Sequence, residues 1–264
     1  MATRTARSFK HEYGLFVEQE IENYKESIPR PALLAIGDEA AARLRAEAQF
    51  SLTELLMCEE VDRIIARRLR LPAYATWRKK RLKLHEEMRR PEHWGLSKSD
   101  ALVRTISPRV SRSTSRVLVA GDTAERSALF LAARGCEVTA LKLEEEAVER
   151  VMVAAVKAGL TELLHAVPND LTQFTPAEPL HAVVCSHSAL DALSPVDRSR
   201  VLAVLQSATM DGGVHLVETI AAGSAAIEEL RAKYRGWAVS VEQGKDNATV
   251  FLARKDEGAP RVSH

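Results

Sequence analysis

Apolar positions in the first hundred residues recur at helical spacing; beyond about Arg116 they gather into short runs separated by amphipathic stretches. Phe9, Tyr13, Phe16, Val17, Ile21 and Tyr24 predict a helix over 8–27, which Pro29 and Pro31 stop. A second helix is expected from about Gly37 to Ala48. Ser51-Leu-Thr-Glu54 has the form of a capping box, in which the Ser51 hydroxyl takes an orphan amide and Glu54 reaches back. The helix it opens carries Leu55, Val61, Ile64, Ile65 and Leu69, and Pro72 closes it. Residues 73–89 and 97–106 predict two more helices, with Pro91 between them.

Val117-Leu-Val-Ala then reads as a strand buried on both faces of a parallel sheet. Helix 124–134, strand 136–141, helix 144–158 and strands 163–167 and 180–186 follow. Helix 195–209 leads to a turn at Asp211-Gly-Gly and a strand over 214–219. Helix 223–234 precedes strands 236–241 and 248–253, joined by a turn at 243–247. Alternating strands and helices imply right-handed crossovers, and the short last connection requires antiparallel pairing. The fold class expected is α/β: a seven-stranded, mostly parallel sheet with a C-terminal antiparallel hairpin, preceded by an all-helical region. The boundary is placed at 104/105, giving domains 1–104 and 105–264.

The chain of 264 residues has a net charge of +1 that conceals segregation. Residues 63–90 hold eleven Lys and Arg against two Glu, an excess of +9, so the remainder sums to about −8. The segment Arg63–Arg90 is therefore expected to meet an anionic partner, either nucleic acid or an acidic protein surface, including that of a second copy in a homo-oligomer. Tyr74 and Trp77 beside Arg78-Lys-Lys-Arg81 could stack on bases; amphipathic packing explains the same aromatics as core. No apolar run approaches the roughly 18 residues of a membrane span, so no membrane partner is expected. Cys58, Cys136 and Cys185 are odd in number and scattered, which suggests neither disulfides nor a metal site, and a cytoplasmic location.

Val117-Leu-Val-Ala-Gly121-Asp-Thr-Ala-Glu125-Arg-Ser-Ala-Leu129, followed by Leu131-Ala-Ala-Arg-Gly-Cys-Glu-Val-Thr-Ala-Leu-Lys142, resembles the opening of class I S-adenosylmethionine (SAM) dependent methyltransferases, which are Rossmann-like. The likeness is nearest to their tellurite-resistance-type branch and covers roughly residues 105–256. It implies SAM as cofactor, with no metal, and a cofactor site formed by Gly121, Asp122, Lys142, Asp170 and Ser186. Asp170 falls where the family has an acid near the adenine, and Asp211-Gly-Gly213 matches its turn before strand five.

The departures concern the cofactor. Thr123 and Glu125 stand where the family has glycines, whose lack of a Cβ lets the backbone approach the ligand. Lys142 replaces the acid that accepts both ribose hydroxyls, and an ammonium has no acceptor. A cation about 6 Å from the sulfonium would oppose binding by roughly 3 kcal/mol at an effective dielectric near 20. The expectation is a methyltransferase-fold protein with a degraded SAM site, Glu125 and Lys142 filling the cavity, serving as a non-catalytic binding or assembly subunit. The alternatives are an active SAM-dependent methyltransferase with an altered cofactor grip, acting on a small molecule or nucleic acid, and a pocket taken over by another ligand, for which Lys142 could favour a phosphate. No residue is assigned as catalytic. His187, after strand four, is the one candidate base. His215 is expected to be a satisfied interior group, and Tyr234 and Trp237 to pack the C-terminal edge.

Overall fold

The chain divides into two units, residues 1–84 and 85–264. A computed structural model describes residues 8–46, 53–106, 115–121, 124–142, 144–221, 225–243 and 248–256, with only the backbone of Ala46, Thr53 and Lys142. Ser51 of the expected capping box therefore lies outside the described residues.

The first unit holds α1 (Phe9–Ser27), α2 (Arg30–Ala46), α3 (Thr53–Arg68) and most of α4 (Tyr74–Met88). Ser8 caps α1, accepting from the His11 amide at 3.3 Å. The chain leaves α1 at Ile28 in an extended conformation, as a residue before proline must. Here the expectation changes: α2 begins at Arg30 rather than Gly37, with Pro31 inside its first turn. Proline is tolerated there because its missing N–H would have had no intrahelical partner. Ile21, Ile36, Ala40, Ile64 and Ile65, from three helices, form the core. Tyr74 and Trp77 turn inward onto Tyr13 and Phe16, with ring centroids 5.4–6.1 Å apart, and the Tyr13 hydroxyl donates to the Pro72 carbonyl at 2.9 Å.

The second unit carries the seven-stranded sheet in the order β3-β2-β1-β4-β5-β7-β6. The strands are β1 (Arg116–Ala120), β2 (Glu137–Lys142), β3 (Leu164–Pro168), β4 (Leu180–Ser186), β5 (Thr209–Ala221), β6 (Trp237–Gln243) and β7 (Ala248–Lys255). The first five pair in parallel and β7 runs antiparallel to both β5 and β6. Along β1, Val117 and Val119 enter one apolar cluster while Leu118 and Ala120 enter the other. That split explains why the strand reads as a continuous apolar run. One face is covered by α5 (Ala124–Ala133) and α6 (Glu145–Ala158), the other by α8 (Pro195–Ala208) and α9 (Ala226–Lys233). Met88, Leu102 and Ile106 join the first cluster, so residues from 85 onward pack with the sheet. The expected helix over 97–106 is instead a π-type turn at Leu102–Ile106, and a 3-10 turn at Pro91–Trp94 precedes it.

Two further elements differ from expectation. Asp211-Gly-Gly is no turn ahead of a strand but lies within β5, where Leu180 pairs with Thr209 and Ala182 with Val214. The extra residues bulge out of the ladder, and Gly212 at φ +76° allows it. A short helix absent from the expectation, α7 (His187–Asp191), follows β4 directly. Its five residues are too few for helical periodicity to register in the sequence.

Candidate functional site: a cleft at the carboxyl ends of the strands

Strand order reverses direction at β1, which pairs with β2 on one side and β4 on the other. At such a point the connections leave to opposite faces of the sheet, and a crevice opens beyond the carboxyl ends of the strands. This chain has a cleft of about 590 Å³ there. Ala120 and Gly121 form its base; Leu141, Ala147 and Leu171 supply an apolar wall. Glu144, Arg150, Asn169 and Asp170 are its polar and charged groups on the side of β2 and β3, and Ser188 and Ala189 of α7 form the opposite side.

Gly121 has φ +96°, in the left-handed region that favours glycine. A Cβ there would overlap Ser186 Oγ and come within 2.9 Å of Ser186 Cβ and 3.2 Å of Ala189 Cβ. The glycine thus has a reason internal to the protein: it lets the junction of β4 and α7 close against the end of β1. Ser186 is fully buried, with its Oγ 2.7 Å from Ser188 Oγ, and lies beneath the cleft rather than on its wall.

Asp170 does line the cleft, but one of its oxygens is already engaged. Oδ1 accepts from the backbone amides of Thr172 (2.6 Å) and Gln173 (3.1 Å) and from the Thr172 hydroxyl, an Asx turn that shapes the loop after β3. The Thr172 hydroxyl bond, with those amides, holds the Asp170 carboxyl below the usual carboxylate range, so it is ionised at neutral pH. Lys142 is the last residue of β2, with its backbone in register with Pro168. Asp122 and Thr123 lie outside the described residues. Glu125, in the first turn of α5, is half-buried and is not among the residues lining the cleft. His187 opens α7 and likewise lies off the cleft wall.

The group that sequence reasoning passed over is Glu144. It occupies the N-cap position of α6, where an acid ordinarily bonds an orphan amide, yet its side chain makes no capping bond. The residue is exposed and lines the cleft. The signal was present as the run Glu144-Glu-Glu146 two residues past Lys142, but strand-end alignment looks only at position 142. Among the described residues no group of three His, Cys, Asp or Glu could hold a metal ion, and no helix is long and apolar enough to cross a membrane.

No protein-family model and no curated protein matches the sequence. Solved structures do. The glycopeptide N-methyltransferase MtfA in complex with S-adenosyl-L-homocysteine is 16% identical, over 58% of this chain and 87% of its own, with a TM-score of 0.48. An rRNA methylase from Streptococcus thermophilus is 12% identical over 61% and 100%, at a TM-score of 0.49. The N-methyltransferase NodS from Bradyrhizobium japonicum, with the same homocysteine compound, is 16% identical over 67% and 98%, at 0.44. At these values the likeness carries no argument about activity. The strand order, the register and the C-terminal hairpin are what make the second unit a class I methyltransferase-like fold.

Proposed function

We propose that the α/β unit binds SAM in the cleft at the ends of β1–β4 and transfers its methyl group to a small-molecule or nucleic-acid nucleophile. The observation that carries this is Glu144, an exposed acid not spent on capping that lines the same cleft as Gly121. An ionised carboxylate has the acceptor pair that Lys142 lacks, so it can take both hydroxyls of a ribose. The acid of the resembling family would then have moved two residues along the chain rather than disappeared.

The rest of the wall suits the same ligand. Leu141, Ala147 and Leu171 offer apolar surface for a purine, and the volume lies within the range of small-molecule sites. Among the described lining residues Glu144 and Asp170 outnumber Arg150 by one negative charge, which favours a cationic sulfonium. Bound SAM would supply an electrophilic methyl group. The chain's part is to align that group with its acceptor, and alignment alone can lower the barrier by several kcal/mol without an acid or base. Three cysteines, all free thiols, support a reducing, cytoplasmic setting.

Isothermal titration of SAM into the full chain tests the reading. A micromolar Kd is expected, weakened tenfold or more by Glu144→Gln. Absence of heat at millimolar SAM sinks it. A second reading, a non-catalytic binding or assembly subunit, is favoured by the crowding of Gly121 by Ser186 and by Thr123 and Glu125 in place of glycines. Tight SAM binding without transfer of labelled methyl to any of a panel of RNAs and small amines would support that reading.

A further inference from the structure

The helical unit carries a one-sign surface that the cleft does not use. Residues 67–84 contain eight Lys and Arg and no acid. Elsewhere in this unit Lys25 pairs with Glu22 and Asp62 at 2.8 Å, Arg43 with Glu39 at 2.6 Å, and Arg63 with Glu60, while among the described residues Lys10, Arg30 and Arg45 stand singly on α1 and α2. Within the stretch only two are matched, Arg68 by Glu39 at 2.5 Å and Arg81 by Glu12 at 3.4 Å. Arg67, Arg70, Arg78, Lys79, Lys80 and Lys83 are exposed and form no ion pair among the described residues. These six, gathered from the end of α3 through α4 in a stretch without an acid, face solvent.

Arg70 adds an independent observation. It sits just beyond α3 at φ +52°, where helices usually place glycine or asparagine because a Cβ is strained there. The chain holds an arginine in a conformation that a glycine would adopt freely. Retaining the strain keeps a guanidinium at the junction between α3 and α4.

The same surface argues against other polyanions. Leu82 and Leu84, the exposed apolar residues of α4, project about 160° apart around the helix, so they form no single stripe for a bilayer or a protein groove. Tyr74 and Trp77 are packed on Tyr13 and Phe16, which leaves flexible cations rather than rings to make the contacts. Lys79 and Lys83, four residues apart on one face of α4, are separated by roughly 6 Å of helix rise, comparable with the spacing of successive phosphates. We propose that Arg67, Arg70, Arg78, Lys79, Lys80 and Lys83 form a docking surface for the phosphate backbone of a nucleic acid, read by charge and not by base sequence.

Fluorescence anisotropy of the full chain with a labelled 24-nucleotide RNA of mixed sequence tests this. Six neutralised phosphates predict a slope of log K against log salt of about −4, or roughly 250-fold weaker binding at 200 mM than at 50 mM salt. Replacing Lys79, Lys80 and Lys83 by alanine should bring the slope to about −2, with an unchanged melting temperature. Arg70→Gly should raise the melting temperature and still weaken binding, a combination that a purely structural role for Arg70 does not produce. Undetectable binding at 50 mM salt, a salt-independent affinity or wild-type affinity in the triple variant overturns the proposal. So does tighter binding of polyglutamate, or of phosphatidylglycerol vesicles, than of the RNA.

Discussion

His215 Nδ1 lies 2.8 Å from the Tyr234 hydroxyl, and the pair is closed off from solvent between β5 and the end of α9. The tautomer follows from the third member. Thr209 donates its only hydroxyl proton to the Leu205 carbonyl at 2.7 Å, so it can only accept from His215 Nε2, also at 2.7 Å. Nε2 therefore carries the imidazole proton, and Tyr234 donates to Nδ1. A second proton on the ring would leave the Tyr234 hydroxyl without its acceptor.

Burial, with Lys255 adding a smaller push, lowers His215 to about 3. Its folded pKa is thus below the unfolded value of about 6.5, so stability from this group is complete above pH 6.5 and is lost as pH falls. The expected loss is about 1.4 kcal/mol per pH unit between pH 6.5 and pH 3. Urea denaturation at pH 7, 5.5 and 4.5 should show it. His215→Gln should lower stability at pH 7 and flatten the slope; an unchanged slope would refute the assignment.

Gly121→Ala should destabilise the second unit by about 3 kcal/mol. Positive φ costs 1–2 kcal/mol for alanine, and overlap with Ser186 and Ala189 adds the remainder. Adding Ser186→Ala should recover only part of this, because the Cβ atoms at 186 and 189 stay in place. A melting temperature within a degree of the wild type would show that the β4–α7 junction does not press on β1.

Thiol reactivity should separate the three cysteines. Burial pushes Cys136 and Cys185 up to about 12, while Cys58 is exposed on α3. Since the thiolate is the nucleophile, a disulfide reagent should modify one thiol per native chain at pH 8 and three after denaturation. Two fast thiols in the native protein would contradict the packing of β4 or of the α5–β2 connection.

Glu60 is 5% exposed in the helical unit and pairs with Arg43 at 3.3 Å and with Arg63. Glu60→Gln should cost about 1–2 kcal/mol, less than the 3–5 kcal/mol of a fully buried broken pair, because both arginines can turn to water. Chemical denaturation of the variant measures it. A neutral result would mean that the carboxylate's desolvation already cancels its two ion pairs.

How legible the molecule is depends on the range of the interactions involved. Val117–Ala120 reads as a buried strand because its apolar run is a local pattern, and the hairpin of β6 and β7 follows from a connection too short for anything else. The bulge at Asp211–Gly213 was not legible, since it arises from a register shift between β4 and β5, two strands distant in sequence. Pro31 illustrates a related ambiguity: the residue that stops one helix also opens the next.

The order of the strands and of the longer helices, the sign and place of the basic stretch, and the likeness of 116–142 to a nucleotide-binding unit were determined by sequence alone, because each rests on neighbours along the chain. Only the tertiary structure decided that Gly121 yields to Ser186, that Glu144 lines the cleft, and that six cations from the end of α3 through α4 form no ion pair among the described residues. Those outcomes turn on atoms brought together from distant segments, and the distances between such atoms are properties of the packed chain.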